Sequence, residues 1–310
     1  MPGSFTDHHR KRIVREMWNT PILEWLFQRW GAKYLYLGLP GPEAHDIKLW
    51  ANMIESVIAF EITDDTKDNP RETFERLRFN LTLINLPHTV YYGYLEDVVL
   101  WREDLDGREF TLNKFVTLFN LDFCNAITGK VPTKDGKKCL RFESIRELIT
   151  LQRSLYRMTG EARFIILITA RDEFHATEMN RFIKRRTLNS RMRNAVDIIL
   201  SRETLPNTDI QRNTELLRLF MFDFLRNCLL GQNVKFFFLP TMKFIGTTRS
   251  SSMIHLCVIC QMESLESAQV ADEQNDEEFI RMGIISAGDR GLSKGSPSPI
   301  TLLENSWVSR

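Results

Sequence analysis

The sequence predicts an α/β protein built round one doubly wound, mostly parallel sheet of seven strands, with a C-terminal antiparallel hairpin and a helical insertion after strand five. Three observations carry that expectation. Short β-branched and aromatic runs alternate with stretches of helical period from Lys33 to Thr169, and such alternation demands parallel strands joined by right-handed crossovers. Residues 172–232 then read as helical in two or three pieces, broken at Pro206, which is more helix than one crossover needs. Finally, Val234–Phe238 and Met253–Cys260 are β-rich runs joined through Thr247, Thr248, Arg249 and Ser250, the pattern of an antiparallel pair.

Each element has its own signal. Thr6 or Asp7 can cap a first helix, and Pro21 suits the first turn of a second that stops at Gly31. Lys33 to Ile54 reads as strand, tight loop and helix, the helix marked by Ile47, Trp50, Ala51 and Ile54. The second strand, Ser56 to Ile62, carries Glu61 near its end. Asn69, Pro70 and Glu72 open the next helix, which runs through Phe74, Leu77, Leu81 and Ile84. Strands follow at Thr89–Tyr94 and Lys114–Phe123. Ser144 and Glu147 form a second capping box, and Arg163–Thr169 is a fully apolar strand of the kind covered on both faces. The domains read as a helical segment at 1–32, a sheet domain at 33–262 with a basic helical insertion at 172–210, and a tail at 263–310. That tail is acidic, then rich in Gly, Ser and Pro, and is expected to lie on the surface, partly disordered.

With 41 basic against 40 acidic residues, the whole-molecule field favours neither nucleic acid nor membrane, so any such case rests on local patches. No uncharged apolar run approaches the ~20 residues that span a bilayer, and the basic start lacks the apolar core of a secretory signal. The five cysteines are odd in number and scattered, unlike a disulfide framework. A cytoplasmic protein with reduced thiols and no membrane partner is expected.

The strand ends carry the candidate chemistry. The loop after the first strand is Gly38-Leu39-Pro40-Gly41-Pro42, where two glycines serve either close approach of backbone to a ligand or a tight turn. Glu61 stands 23 residues after Gly38, at the end of an apolar strand, where a carboxylate can accept from a ribose diol or cap the strand. The turn after the third strand holds Leu95, Glu96 and Asp97, and the fourth strand ends on Asn120-Leu121-Asp122-Phe123. Five alternating strands, a long helix and a terminal hairpin, with these residues at those ends, resemble the Rossmann-like S-adenosylmethionine-dependent methyltransferase superfamily over roughly Lys33–Met262.

The resemblance implies S-adenosylmethionine as cofactor. It implies that Gly38, Pro40 and Gly41 lie along its methionine part, with Glu61 on the ribose. Leu95 would pack on the adenine face, with Glu96 or Asp97 on its amino group. Asp122 and Asn120 would orient the acceptor. The sequence has Tyr36 and Leu37 where the family places an acidic residue, and it lacks the family's third glycine and its prolines at strand four. A catalytically inactive methyltransferase-fold subunit or sensor is therefore the alternative, in which a protein partner would be needed. A nicotinamide-dependent oxidoreductase fits less well, because Gly-x-Gly-x-x-Gly is absent.

Two further constellations remain. Arg181, Lys184, Arg185, Arg186, Arg191 and Arg193 fall within thirteen residues, a density that suits nucleic-acid phosphates, a solvated helix face or a dock for the acidic tail. His255, Cys257 and Cys260 do not fit a metal site, since residues three apart on a strand face opposite sides. No metal is expected.

Overall fold

Successive side chains of a strand point to opposite faces, and in the computed structural model both faces of the sheet are buried. Leu35, Leu37, Ile166 and Ile168 belong to one apolar layer, and Tyr34, Tyr36, Ile165 and Leu167 to the other. The structure describes residues 9–61, 71–133, 136–138, 140–202, 208–245, 252–264, 273–288, 291–293 and 295–306.

The chain enters through α1 (His9–Val14), a π turn (Arg15–Asn19) and α2 (Thr20–Trp30), and then β1 (Tyr34–Gly38), α3 (His45–Trp50) and β2 (Ile54–Glu61). It continues through α4 (Glu72–Ile84), β3 (His88–Tyr92), α5 (Leu95–Trp101) and β4 (Leu118–Ala126). A small hairpin, β5 (Val131–Thr133) and β6 (Gly136–Lys138), precedes α6 (Arg141–Thr159) and β7 (Arg163–Arg171). Then come α7 (Ala176–Ile183), α8 (Ser190–Ser201), α9 (Thr208–Gly231), β8 (Val234–Phe238), β9 (Thr241–Ile245) and β10 (Ser252–Met262). The chain finishes with α10 (Glu273–Met282), β11 (Ile284–Gly288), β12 (Gly291–Leu292) and α11 (Pro299–Ser306).

The main sheet has ten strands in the order β12-β11-β9-β10-β7-β4-β1-β2-β3, with β8 also paired to β10. Strands β3, β2, β1, β4 and β7 are parallel. β10 runs antiparallel between β7 on one side and β8 and β9 on the other. The expected antiparallel pairing of Val234–Phe238 with the last long strand is thus present, Val258 lying opposite Phe238 and Met262 opposite Val234. Ten strands replace the expected seven for two reasons. Pro240 has no N–H to give the ladder, so the edge strand breaks into β8 and β9. The tail then adds β11 and β12.

Several local expectations are corrected. The N-terminal helices form one run, because the π turn passes straight into α2. Thr20 donates through its backbone N–H to the Arg15 carbonyl, and Pro21 falls where the helical ladder is already interrupted. The stop at Gly31 is as expected, in the left-handed conformation at φ 69°. Ile54 starts β2 instead of ending α3. Ser144 lies inside α6, where its hydroxyl donates to the Arg141 carbonyl at 2.9 Å, so it is no cap. Thr6, Asp7, Asn69, Pro70, Pro206 and the turn at 247–250 lie outside the described residues.

The tail is not simply surface chain. α10 packs on α8 and α9, Phe279 stacks on Phe222 at 4.2 Å, and β11 extends the sheet in parallel with β9. Acidic composition hid this, because the acids have partners: fully buried Asp276 accepts from Arg226 at 2.6 Å and from Asn189, and Glu277 pairs with Arg191 at 3.3 Å. Among the described residues no helix is long and apolar enough to cross a membrane.

Candidate functional site

In an open doubly wound sheet, ligands bind outside the carboxyl ends of the strands where the winding reverses. Here that point lies between β1 and β4, since the chain leaves β1 toward β2 on one side while β4 lies on the other. The register fixes what gathers there. Gly38 pairs with Ala59 on β2 and with Asn120 on β4. Two residues further on, Glu61 and Asp122 stand in the same row and on the same face, on either side of the point where β1 has already ended. Two strand spacings put them about 10 Å apart. The row continues across the sheet, Asp122 beside Thr169 and Thr169 beside His255.

The glycines have reasons in the chain itself. A Cβ on Gly38 would lie 2.2 Å from the Asn120 carbonyl oxygen, so β1 and β4 approach this closely only with glycine, and Leu39 N–H donates to that same oxygen at 3.0 Å. Gly41 sits at φ +67°, in the left-handed region, with open space round its Cβ position. Pro40 is half-buried in the same loop.

A buried polar network fills the cleft beneath that loop. Asn120 donates to Tyr36 Oη at 3.1 Å and to Asp46 Oδ2 at 2.6 Å, and Arg15 pairs with the other oxygen of Asp46. Lys11 pairs with Asp122 Oδ2, while Asp122 Oδ1 is buried with no hydrogen-bond partner among the described residues. Thr169 and Asn19 flank His255, at 2.8 Å from its Nδ1 and 2.9 Å from its Nε2. The gap left among these side chains is about 20 Å³, on the scale of a single water.

The sequence names Asn120 and Asp122 as candidates, offers Lys11 and Arg15 only as members of a smaller basic patch with Arg10 and Arg12, takes His255 only as a failed metal ligand, and gives no functional reading to Asn19, Asp46 or Thr169. The four-residue spacing of Lys11, Arg15 and Asn19 was the available signal for one shared helix face.

His255 is fully buried, and burial, aided by the nearby Lys11 cation, lowers its pKa to about 4. The unfolded imidazole titrates near 6.5, so the unfolded chain takes up the proton first as pH falls. This contribution is therefore complete above about 6.5 and shrinks toward 4, by up to about 3 kcal/mol. Urea unfolding of the wild type and of His255→Gln at pH 7 and pH 4.5 should show a steeper acid loss in the wild type.

At the third strand's turn, Leu95 is buried, and Glu96 is committed elsewhere: Arg141 Nε donates to its carboxylate at 2.9 Å, both side chains being buried. Burial raises the Glu96 pKa, and Arg141 opposes that rise. Arg141 also donates to the Ala126 carbonyl and lies 5.0 Å over the Phe123 ring. Asp97, beside it, is half-buried.

The basic segment is largely spent inside the chain. Arg181 pairs with Glu178 at 2.8 Å, Arg185 with Asp223 at 2.7 Å and Arg191 with Glu277 at 3.3 Å. Arg193 donates to the carbonyls of Ile183 and Arg185. Lys184 and Arg186 are exposed and make no ion pair among the described residues. The acidic tail thus docks on part of this patch. Cys257 and Cys260 face opposite layers of the core, and no group of three metal-ligating side chains occurs among the described residues.

No protein-family model and no curated protein matches the sequence. Similar solved structures include M. jannaschii TYW2 in complex with AdoMet, at 10% identity over 85% of this chain and 79% of that one, with a TM-score of 0.41. Another is the methyltransferase domain of bacterial CtHen1-C, at 10% identity over 82% and 98% of the two chains and a TM-score of 0.39. A third is magnesium protoporphyrin IX methyltransferase (ChlM) from Synechocystis PCC 6803 with bound SAH, at 10% over 84% and 89% and a TM-score of 0.38. The chain's own strand order defines the class: a doubly wound α/β sheet, parallel from β3 to β7, with an antiparallel strand beside β7.

Proposed function

We propose that this chain binds an S-adenosylmethionine-type ligand at the β1–β4 crevice and acts as a methyltransferase-like protein. One observation supports the reading: Glu61 and Asp122 stand in one row on either side of the shortened end of β1, at the point where the winding of the sheet reverses. Glu61 would accept from the ribose hydroxyls, and Leu95 and Asp97 would meet the adenine, since Glu96 is held by Arg141. When bound, the ligand would supply an electrophilic methyl group. Catalysis by the protein would be mostly positioning, with Asp122 orienting an acceptor or taking its proton through the oxygen that has no partner, and Asn120 holding Asp46 and Tyr36 in place beneath it. Nucleic acid is the acceptor class suggested by the basic segment, with Lys184 and Arg186 as its phosphate contacts.

Replacing Glu61 by Ala should remove a charge-assisted hydrogen bond and weaken S-adenosylhomocysteine ~10- to 100-fold in a calorimetric titration. An unchanged dissociation constant would take Glu61 out of the site. The inactive-subunit reading is favoured by one feature, the ion pair of Lys11 with Asp122, which occupies the transfer position. It requires that no acceptor be methylated even when the ligand binds.

A further inference from the structure

The cleft at the β1–β4 crevice is closed by the chain's own charges. Arg15 and Asp46 are both buried, and Lys11 reaches Asp122 from a position where 35% of its side chain is still exposed. Two cations from the N-terminal helical run thus meet two carboxylates, Asp46 of α3 and Asp122 of β4, leaving about 20 Å³ of space. A buried charge deprived of its partner is strongly unfavourable, so a ligand can enter only if it re-pairs what it displaces. A neutral or singly charged group would leave one side uncompensated. An α-amino-acid end, with one carboxylate and one ammonium, re-pairs the two buried charges, Arg15 and Asp46.

The geometry of the cations suits the exchange. A guanidinium can take a carboxylate in a two-point fork, whereas Arg15 meets Asp46 through Nε at one oxygen, the other being held by Asn120. Lys11 lies four residues earlier, in the first described turns, and the π turn Arg15–Asn19 separates that segment from α2, whose Ile22, Leu23 and Leu26 are locked in the core. Asp122, which lines the same space, keeps a second oxygen that has no hydrogen-bond partner among the described residues.

Resting on the proposed ligand site, we infer that Arg15 is the residue that binds the carboxylate of the ligand's amino-acid end, and that Lys11 is a latch. In the free protein both are parked on Asp46 and Asp122. Binding exchanges Arg15 from Asp46 to the ligand carboxylate, hands Asp46 the ammonium, and swings Lys11 outward, so that Lys11 and Asp122 trade their ion pair for water at the opened mouth of the cleft. The N-terminal segment is then part of the site, and an unliganded protein spends most of its time closed.

Calorimetry on the full chain with two probes tests this: S-adenosylhomocysteine, which has the amino-acid end, and 5′-methylthioadenosine, which lacks it. Arg15→Gln should weaken the first ~10- to 100-fold and change the second less than about twofold. Lys11→Met, at a partly exposed position, should tighten S-adenosylhomocysteine several-fold, because closure no longer reduces the competent fraction. Thermal melting checks that each variant folds. If Arg15→Gln does not, Arg15→Lys, which keeps the charge but loses the fork, carries the same comparison. Equal effects on both probes, or none on either, would overturn the roles of Arg15 and Lys11 while leaving the adenosyl site standing. Failure of both probes to bind wild type and Lys11→Met alike would sink the site and the latch together.

Discussion

Arg141→Met is expected to destabilise the protein by about 3–5 kcal/mol, the range for removing one partner of a buried ion pair. Glu96 is 2% exposed and Arg141 4%, so neither charge can fall back on water. The loss would strand the Glu96 carboxylate, which burial already pushes toward protonation, and would take from the Ala126 carbonyl one of its two donors, leaving only Gly129 N–H at 2.8 Å. Gly129 shows how tightly the guanidinium is packed, since a Cβ there would lie 3.0 Å from Arg141 Nη1. Adding Glu96→Gln should restore a good part of the loss, because a neutral amide no longer needs a cation. Urea unfolding of the two single variants and the double variant measures this directly. A loss below about 1 kcal/mol for Arg141→Met would mean that the pair is solvated and does not brace α5 against α6.

Phe279→Ala should cost a similar amount, about 3–5 kcal/mol for a buried phenylalanine replaced by alanine. Its ring is 1% exposed, stacked on Phe222, set edge-on to Phe238 at 5.2 Å and covered by the Arg218 guanidinium at 4.6 Å. Arg218 also donates to the Phe279 carbonyl at 2.9 Å, so the variant leaves a buried cation with less cover. If thermal melting and urea unfolding showed Phe279→Ala within about 0.5 kcal/mol of the wild type, the 273–288 segment would be an appendage and not part of the core.

These two positions mark where the sequence was readable and where it was not. Strand and helix alternation was legible because its signal is local: period two or a continuous apolar run against period 3.6. Two strand ends were legible for the same reason, since Gly38 closes β1 and Glu61 closes β2, but β4 starts at Leu118 and runs on to Ala126, so Asn120 and Asp122 lie inside it and not at its end. The tail was misread because composition counts charges without their partners, and Asp276 and Glu277 find theirs on α8 and α9. The cleft network was hidden for a related reason: Asn19 and His255 meet across 236 residues of sequence, and Arg15 meets Asp46 only once α1 lies over the sheet. A polar residue's partner is a property of the fold, whereas an apolar residue's period is a property of the chain.

Whether the crevice between β1 and β4 takes an adenosyl ligand is decided by calorimetric titration of the full chain with S-adenosylhomocysteine, beside NAD and ATP. Saturable binding of S-adenosylhomocysteine is expected, with the other two weaker by at least about tenfold, a difference of roughly 1.4 kcal/mol. Binding of NAD or ATP in its place, or of none of the three to the wild type and Lys11→Met alike, would show that the crevice is not an adenosyl site of this kind.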